Sequence, residues 1–346
     1  YFPERLQTKR TLTTLLSLWS SGLQDLPRPT SITLTPSSIT TSTTSRELNW
    51  KGEEPVIVVD DSIWVDSPHL WSVDDPYMYT LVTELTLNGK RVDTYETPFG
   101  IRTIEFRTDS GFFLNGEHIR INGVCNHHDL GCLGAATNER AIERQLQILK
   151  EMGCNGIRCS HNPPSPILLD LCDRMGFLVM DEAFDMWRRR KTDRDYARFF
   201  DEWYERDLTD LVVRDRNHPS IVTWTPLNET WGARDGVYVR FVNDLYNLTK
   251  AIDPTRPVND ASGDGHVKTD IWSVHDYTRE YDRLVANHTI KPGVEPYRNM
   301  GGKDWLAKFN GQPYMIDEFG GLPWIPKEER ANSWGYGANI DTLEDF

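Results

Sequence analysis

The chain has 346 residues, of which 38% are hydrophobic, enough for one large globular domain or two ordinary ones. Its formal net charge of -14 repels nucleic acids and anionic membrane surfaces, so the sequence predicts neither of these partners. No apolar run approaches the roughly 20 residues that cross a bilayer. We therefore predict a soluble protein and leave its compartment open among the cytoplasm, the periplasm and bacterial secretion.

The N-terminal part is rich in Ser and Thr and shows no sustained hydrophobic period, so it predicts no definite element. A strand is expected at Val56–Val59. Two further strands, Tyr77–Leu87 and Arg91–Tyr95, flank Asn88-Gly89, a pair typical of hairpin turns. The sequence thus predicts a partial β-sandwich over residues 1–108.

From residue 109 the pattern changes to strands that alternate with helices. The predicted strands are His118–Val124, Gly156–Ser160, Phe177–Met180, Ile221–Trp224, Pro257–Asn259, Ile271–Val274 and Tyr314–Ile316. The main predicted helices are Asn138–Met152, Pro166–Met175, Phe199–Val213 and Val237–Ile252. This alternation indicates an α/β fold, a (β/α)8 TIM barrel over residues 109–346 that lacks its last unit.

Two glutamates, Glu229 and Glu318, each follow a short apolar run typical of a buried parallel strand. Because the carboxyl ends of barrel strands converge on one mouth, we expect these two carboxylates to lie close together. Cleavage of a glycosidic bond needs such a pair. Taken singly, each glutamate would be equally well explained as an ordinary strand-end charge in a salt bridge.

Many other polar residues follow the predicted strands, and this concentration favours a site over isolated charges. An amide from Asn228 could bind a sugar hydroxyl, Tyr277 could hold an ionised Glu318, and Arg158 would keep a nearby carboxylate charged. The whole set is Asn126, His127, His128, Asp129, Arg158, Ser160, His161, Asn162, Asp181, Glu182, Asp185, Asn228, Glu229, His275, Asp276, Tyr277, Asp317 and Glu318.

Two segments, Asn155–Pro163 and Asp215–Glu229, resemble the two signatures of glycoside hydrolase family 2, the family of β-galactosidases, β-glucuronidases and β-mannosidases. The resemblance implies that Glu229 is the general acid/base and Glu318 the nucleophile of a retaining mechanism. Residues expected to bind the sugar are Asn228, His127, His161, Arg158, Tyr277, Asp181 and Trp334.

The resemblance also implies an exo-acting β-glycosidase, foremost a β-galactosidase. The Asn-x-Lys element of β-glucuronidases is not evident, which disfavours a glucuronide substrate. No Glu-x-His element of magnesium-binding galactosidases follows Asp181, so we predict no metal and no cofactor. A β-mannosidase, a β-glucuronidase and a carbohydrate-binding remnant without turnover remain alternatives.

The family places an immunoglobulin-like sandwich before its barrel. We expect this chain to begin inside that sandwich and to end before barrel strand eight. Little activity is therefore expected of it alone, and self-association of the full-length protein stays open. The cysteines, an odd number without Cys-x-x-Cys spacing, are expected to be reduced core residues that bind no zinc: Cys125, Cys132, Cys154, Cys159 and Cys172.

Overall fold

In a computed structural model, the chain forms two compact units. The first comprises Tyr1–Thr103, Asp173–Gly176 and Asn217–Pro219; the second comprises Ile104–Cys172, Phe177–Arg216 and Ser220–Phe346. The residues that the structure describes are 14–17, 31–36, 44–46, 56–59, 65–87, 90–230, 236–263, 265–291, 294, 296–297, 307–332, 340–342 and 344.

The first unit is built of antiparallel strands, namely β1 Thr14–Ser17, β2 Ser31–Pro36, β3 Thr44–Arg46, β4 Val56–Val59, β5 Tyr79–Leu87 and β6 Lys90–Phe99. One sheet has the order β3-β2-β5-β6, and β1 pairs with β4. In β5 the buried side chains alternate, Tyr79, Leu81, Thr83 and Leu85, because successive residues of a strand face opposite sides. The predicted strand at Val56–Val59 and the predicted pair β5–β6 are confirmed; Asn88-Gly89 lies outside the described residues.

The second unit opens with a three-stranded antiparallel sheet, β7 Ile104–Arg107, β8 Gly111–Leu114 and β9 Glu117–His118. Asn115 and Gly116 join β8 to β9 with φ of 54° and 83°, values that Asn and Gly tolerate in tight hairpin turns. The prediction of a strand at His118–Val124 is therefore wrong. His118 pairs back with Phe113 in the hairpin, and the next strand begins only at Gly123.

Seven parallel strands follow among the described residues, as predicted: β10 Gly123–His127, β11 Gly156–Ser160, β12 Leu178–Phe184, β13 Ile221–Asn228, β14 Ala261–Ser262, β15 Trp272–Asp276 and β16 Tyr314–Phe319. The first five form one sheet in sequence order, and β15 pairs with β16. The helices are α1 Glu139–Glu151, α2 Pro166–Met175, α3 Phe200–Asp215, α4 Gly236–Ile252 and α5 Tyr281–His288, with 3-10 turns at Gly131–Leu133, Tyr196–Arg198 and Arg330–Asn332.

Several parallel strands run further than their apolar residues. β12 extends to Phe184 and β13 to Asn228, because backbone pairing such as Glu182 with Thr225 continues through the polar residues. Strands β11, β12 and β13 are buried along their whole length, as expected for a parallel sheet covered on both faces. Polar side chains near these strand ends are therefore held by regular backbone.

The fifth predicted strand, Pro257–Asn259, is wrong in position, because β14 pairs with β13 only at Ala261–Ser262. Val258 contributes a single bridge to Trp224. Asp260 lies between the bridge at Val258 and the pairing of β14 with β13. Its carboxylate accepts hydrogen bonds from the backbone N–H groups of Ala261, Val267 and Lys268. The local turn thus replaces a continuous ladder.

The first helix begins where its capping residue predicts. The side chain of Asn138 accepts a hydrogen bond from the N–H of Ala141 at 3.0 Å, and Ile142 and Leu146 are buried. Met152, which the sequence places on the same apolar face, is exposed because it already lies at the C-cap. Helix α5 was not predicted, because eight residues are too few to show a clear helical period of apolar side chains.

Three of the cysteines, Cys154, Cys159 and Cys172, are buried as expected, whereas Cys125 and Cys132 are exposed. None of the helices in the described part of the chain is both long and apolar enough to cross a membrane.

Replacing Asn138 by Ala should lower the free energy of unfolding by about 1 kcal/mol, because the N–H of Ala141 loses its acceptor. Urea unfolding followed by circular dichroism measures this change. Asn138→Ser retains an oxygen acceptor and should keep nearly all of the stability. Equal losses in both variants would contradict a capping role.

Candidate active site

The two predicted catalytic carboxylates lie close together in the second unit. Glu229 follows the last residue of β13, and Glu318 is part of β16. One carboxylate oxygen of Glu229, one of Glu318 and a ring nitrogen of His275 all lie within 4.8 Å of one another. Glu229 has φ of 39°, and its N–H donates to the carbonyl of Ser262 at 3.0 Å. The chain therefore turns sharply where this carboxylate enters the site.

A buried arginine connects Glu318 to the neighbouring strands. The Arg158 side chain is 4% exposed and donates from Nε to Glu182 Oε2 at 2.8 Å, from Nη1 to Glu318 Oε2 at 2.9 Å and from Nη2 to Asn228 Oδ1 at 2.6 Å. Burial would lower the pKa of Arg158, but the charges of Glu182 and Asp317 outweigh burial and raise it well above its ordinary value. This guanidinium is a fixed positive charge.

Glu318 is held in its ionised form. Burial by itself would raise the pKa of its carboxyl, but the charge of His275, the hydrogen bond from Tyr277 Oη and the Arg158 guanidinium together lower it. The predicted contact between Tyr277 and Glu318 is thus present, with the phenol donating to Oε1.

The imidazole of His275 lies between the two carboxylates. Its Nδ1 is 2.8 Å from Glu229 Oε1 and 3.2 Å from Glu318 Oε2, and its Nε2 is 2.9 Å from Ser262 Oγ. Burial would lower the pKa of His275, but the hydrogen bond to Glu229 and the charges of Asp317 and Glu318 raise it. The ring therefore binds a proton more readily than a free imidazole.

Position 263 has to be glycine to accommodate this ring. Gly263 has φ of +62°, and a Cβ built there would lie 2.2 Å from Cε1 and Nδ1 of His275. Both the backbone conformation and the space exclude a side chain. The loop after β14 thus packs directly on the imidazole.

Two further histidines of the predicted sugar subsite lie together. The rings of His127 and His161 are 5.2 Å apart and nearly perpendicular, and His161 Nδ1 is 2.6 Å from Glu182 Oε1. Burial, followed by the charge of His161, lowers the pKa of His127. The structure therefore joins His127, His161, Arg158, Asn228 and Tyr277 to the carboxylate pair.

Asp181, predicted to bind the sugar, has charged neighbours other than the carboxylate pair. It is 1% exposed and lies near Asp215 and Arg214 of α3, so burial and the charge of Asp215 raise its pKa well above the usual range. Its neighbour Glu182 faces the opposite side and meets Arg158, because successive strand residues alternate. Trp334, also predicted to bind the sugar, lies outside the described residues.

The structure brings further residues into the network. Four of them, Glu182, Asp185, His275 and Asp317, were predicted only as members of the strand-end set, whereas Lys191 and Ser262 were not predicted. A usable signal existed for His275, which directly follows the predicted apolar run Ile271–Val274 and lies within β15. Lys191 offered no such signal, since it reaches the site from the loop after β12.

Among the described residues, Glu229, His275 and Glu318 form the one group with the spacing to hold a metal ion. Hydrogen-bond distances already join these side chains directly, since His275 Nδ1 lies 2.8 Å from Glu229 Oε1 and 3.2 Å from Glu318 Oε2. These distances are those of hydrogen bonds between an imidazole and two carboxyl groups.

The fold and the site define a TIM-barrel domain with a carboxylate pair at the carboxyl ends of its strands. A model described as glycosyl hydrolases family 2, TIM barrel domain, matches residues 105–321, and a second model of glycosyl hydrolases family 2 matches residues 30–102. The chain belongs to glycosyl hydrolase family 2.

Beta-galactosidase BoGH2A of Bacteroides ovatus is 48% identical over 277 residues, which cover 69% of this chain and 32% of that protein. A putative beta-glucuronidase of Formosa agariphila is 39% identical, over 66% of this chain and 22% of that protein. The crystal structure of a beta-glycosidase from Bacteroides vulgatus is 36% identical with a TM-score of 0.66, over 83% of this chain and 36% of that one. The chain spans about a third or less of the length of these two curated relatives.

Replacing Tyr277 by Phe should raise the pKa of Glu318, because the ionised carboxylate loses a hydrogen bond. Carbon-13 NMR titration of the Glu318 carboxyl measures the shift. A depressed folded-state pKa stabilises the fold above the unfolded pKa of glutamate, and that contribution is lost as the pH falls through the folded value. Tyr277→Phe should therefore cost more stability at neutral pH than at acid pH.

Tyr281→Phe is the matched control, since Tyr281 is 76% exposed and should leave the Glu318 titration unchanged. A Glu318 carboxyl that titrates alike in wild type and Tyr277→Phe would contradict the role given to the phenol.

Proposed function

We propose that the whole protein is a retaining exo-β-glycosidase that removes terminal β-linked galactose. The observation that carries the proposal is the approach of Glu229 and Glu318, whose oxygens lie within 4.8 Å around one imidazole. Retaining glycosidases hold their two carboxyl groups about 5–5.5 Å apart, whereas inverting ones separate them by about 6.5–9.5 Å to admit a water. A close pair supports the retaining course.

In the first step, Glu318 attacks the anomeric carbon as Glu229 gives its proton to the departing glycosidic oxygen. A covalent glycosyl ester of Glu318 forms, and the aglycone leaves as an alcohol. Glu229, now ionised, then takes a proton from water, and the hydroxide attacks the same carbon. The bond to Glu318 breaks, and the sugar is released with its original anomeric configuration.

The residues around the two carboxyl groups hold them in position and stabilise the charges that change during the reaction. Arg158 and Tyr277 keep Glu318 ionised and fix its two oxygens, so that little rearrangement is needed when it attacks. The imidazole of His275 contacts both carboxyl groups and can stabilise negative charge as it moves from Glu318 to Glu229 during the first step. Asn228, His127 and His161 supply donors and acceptors for the hydroxyl groups of the sugar.

A neutral sugar agrees with the charges around the pair. Arg158 binds Glu182 and Glu318, and Lys191 binds Asp185 at 2.7 Å. Within the described part of the site, these cations are thus engaged by protein carboxylates rather than set aside for a uronic acid. The similarity to the Bacteroides ovatus protein, named a beta-galactosidase, supports galactose. The Formosa agariphila protein, named a putative beta-glucuronidase, keeps a glucuronide as the second candidate.

We further assign β10 to β16 to the first seven strands of a (β/α)8 barrel. Their sequential parallel order and the family match support this assignment. The antiparallel sheets of the first unit are assigned to an immunoglobulin-like sandwich, in agreement with the family match over residues 30–102.

The proposal is tested with 4-nitrophenyl β-galactoside, β-glucuronide and β-mannoside. The galactoside should be hydrolysed fastest, and proton NMR should show the β-anomer as the first product. A first product of α configuration would contradict the retaining mechanism, and preference for the glucuronide would overturn the assigned sugar.

Replacing Glu229 by Gln should lower kcat/KM about 100- to 10,000-fold for poor leaving groups and much less for activated ones, because activated aryl groups depart with little protonation. Azide should restore turnover of activated substrates and give a glycosyl azide. Equal losses for all leaving groups would contradict the acid/base role.

Replacing Glu318 by Gln should abolish turnover for every leaving group, and a 2-fluoro sugar should label Glu318 in the wild type, as mass spectrometry can detect. Glu143→Gln, on the surface of α1, is the matched control and should leave the kinetics unchanged. Label on another residue would overturn the assigned nucleophile.

A further inference from the structure

The phenol that donates to the proposed nucleophile lies beyond the end of its strand. The ladder between β15 and β16 ends at the pair Asp276 and Phe319, and Tyr277 is the next residue. Strand pairing therefore does not fix the backbone of Tyr277, although its Oη has to reach one oxygen of Glu318. Other contacts must hold this residue in place.

A turn closed by Asp276 encloses Tyr277. The N–H of Thr278 donates to Asp276 Oδ1 at 2.9 Å, so a carboxylate takes the place of the backbone acceptor of a turn. Burial by itself would raise the pKa of Asp276, but hydrogen bonds from Thr278, Asn287 and His288 lower it. The Asp276 side chain is thus ionised, and a carboxylate can only accept hydrogen bonds.

The C-terminal end of α5 holds the other oxygen of Asp276. Asn287 Nδ2 and His288 Nε2 each lie 2.9 Å from Asp276 Oδ2. Because the carboxylate only accepts, the proton of this contact is carried by His288 Nε2, which donates it. The two oxygens of Asp276 therefore connect the turn at Tyr277 to α5.

The same imidazole reaches the strand that carries the nucleophile. His288 Nδ1 is 2.7 Å from Oη of Tyr314, the first residue of β16, and Glu318 lies four positions further along that strand. The His288 side chain is 10% exposed, and its ring packs edge-on against Tyr297 with the centroids 5.1 Å apart. One buried ring thus connects both sides of the hydrogen bond between Tyr277 and Glu318.

Resting on the proposed role of Glu318 as the nucleophile, we propose that His288 is a positioning residue for that carboxylate. His288 holds Asp276 on one side and Tyr314 on the other, and so sets the distance across which Tyr277 donates to Glu318. It acts through these contacts and not on the substrate.

Positioning of this kind has a kinetic signature. A displacement of about 1 Å at a reacting group can slow the reaction by about 100-fold. A histidine that only stabilised the fold would change the fraction of folded protein and leave the rate per folded molecule as it was. The two roles can therefore be separated by correcting each rate for the folded fraction, which circular dichroism measures.

The experiment compares the whole protein with its His288→Leu variant, which loses both polar contacts of the imidazole. With 4-nitrophenyl β-galactoside, kcat/KM per folded molecule should fall about 10- to 100-fold, because the nucleophile is misplaced. The inhibition constant of galactose, which reports binding alone, should change by less than about threefold. If wild type prefers another aryl β-glycoside, that substrate and its sugar are used.

His288→Gln is the rescuing variant, because its amide offers a donor to Asp276 and an oxygen to the hydroxyl of Tyr314. Its kcat/KM should stay within about threefold of wild type. Tyr314→Phe, which removes that hydroxyl, should lower kcat/KM as His288→Leu does, and it decides the question if His288→Leu does not fold.

A double variant tests whether His288 acts through the phenol. When Tyr277 is already replaced by Phe, His288→Leu should lower kcat/KM by less than about threefold, because the hydrogen bond that it positions is absent. Full additivity of the two losses would contradict a role that passes through Tyr277.

His218→Leu is the matched control. His218 Nδ1 lies 2.6 Å from Asp173 Oδ2, and these side chains are 14% and 4% exposed, but both residues belong to the first unit. The substitution should lower the free energy of unfolding and leave kcat/KM per folded molecule unchanged. A loss of kcat/KM equal to that of His288→Leu would overturn the proposal.

A crystal structure of His288→Leu supplies a readout that needs no activity. Tyr277 Oη should lie more than about 3.5 Å from Glu318 Oε1, outside hydrogen-bond distance. A preserved contact would overturn the positioning role and leave the proposed glycosidase function intact. A wild type that hydrolyses no aryl β-glycoside would instead remove the proposed function, and the crystal structure would still decide whether His288 positions Tyr277.

Discussion

The buried guanidinium of Arg158 is the contact on which the rest of the site depends. It lies on β11 and binds acceptors on β12, β13 and β16, namely Glu182, Asn228 and Glu318. Removing one partner of a buried ion pair costs about 3–5 kcal/mol, because the other charge is left uncompensated. Glu182 is fully buried, so it cannot recover that loss through water. The same side chain therefore holds four strands together and sets the charge at the site.

The charges around the two carboxylates are arranged unequally. The carboxylate of Glu318 is contacted by three side chains, Arg158, Tyr277 and His275. Among the described side chains, His275 alone is hydrogen-bonded to the carboxyl group of Glu229. Environments that treat two nearby carboxyls differently assign them different chemical tasks. This inequality comes from the positions of the donors on their strands, since Arg158 lies on β11, His275 lies on β15 and Tyr277 directly follows β15.

Much of the arrangement could be predicted from the sequence because glutamates after buried strands of a barrel must converge. The side of the strand on which each side chain lies could not be predicted. A strand buried on both sides has no polar alternation, so the pattern does not tell Asp181 from Glu182, and the prediction placed both at the mouth. Asp185 was noted only as a strand-end residue, because its partner Lys191 lies six positions away in a loop with no period. Asn115-Gly116 is a pair typical of hairpin turns, so the turn between β8 and β9 can be predicted from the sequence.

Gly263 makes the loop after β14 depend on a residue of the next strand, β15. Its missing Cβ leaves the space that His275 occupies on the next strand, so a larger residue at 263 would displace an imidazole bonded to both carboxylates. Engineering of the loop after β14 is consequently limited by chemistry on β15, even where the new loop never meets substrate. Sequence changes should be tolerated more freely on the loop after β12, where the exposed residues Arg189 and Arg190 precede Lys191.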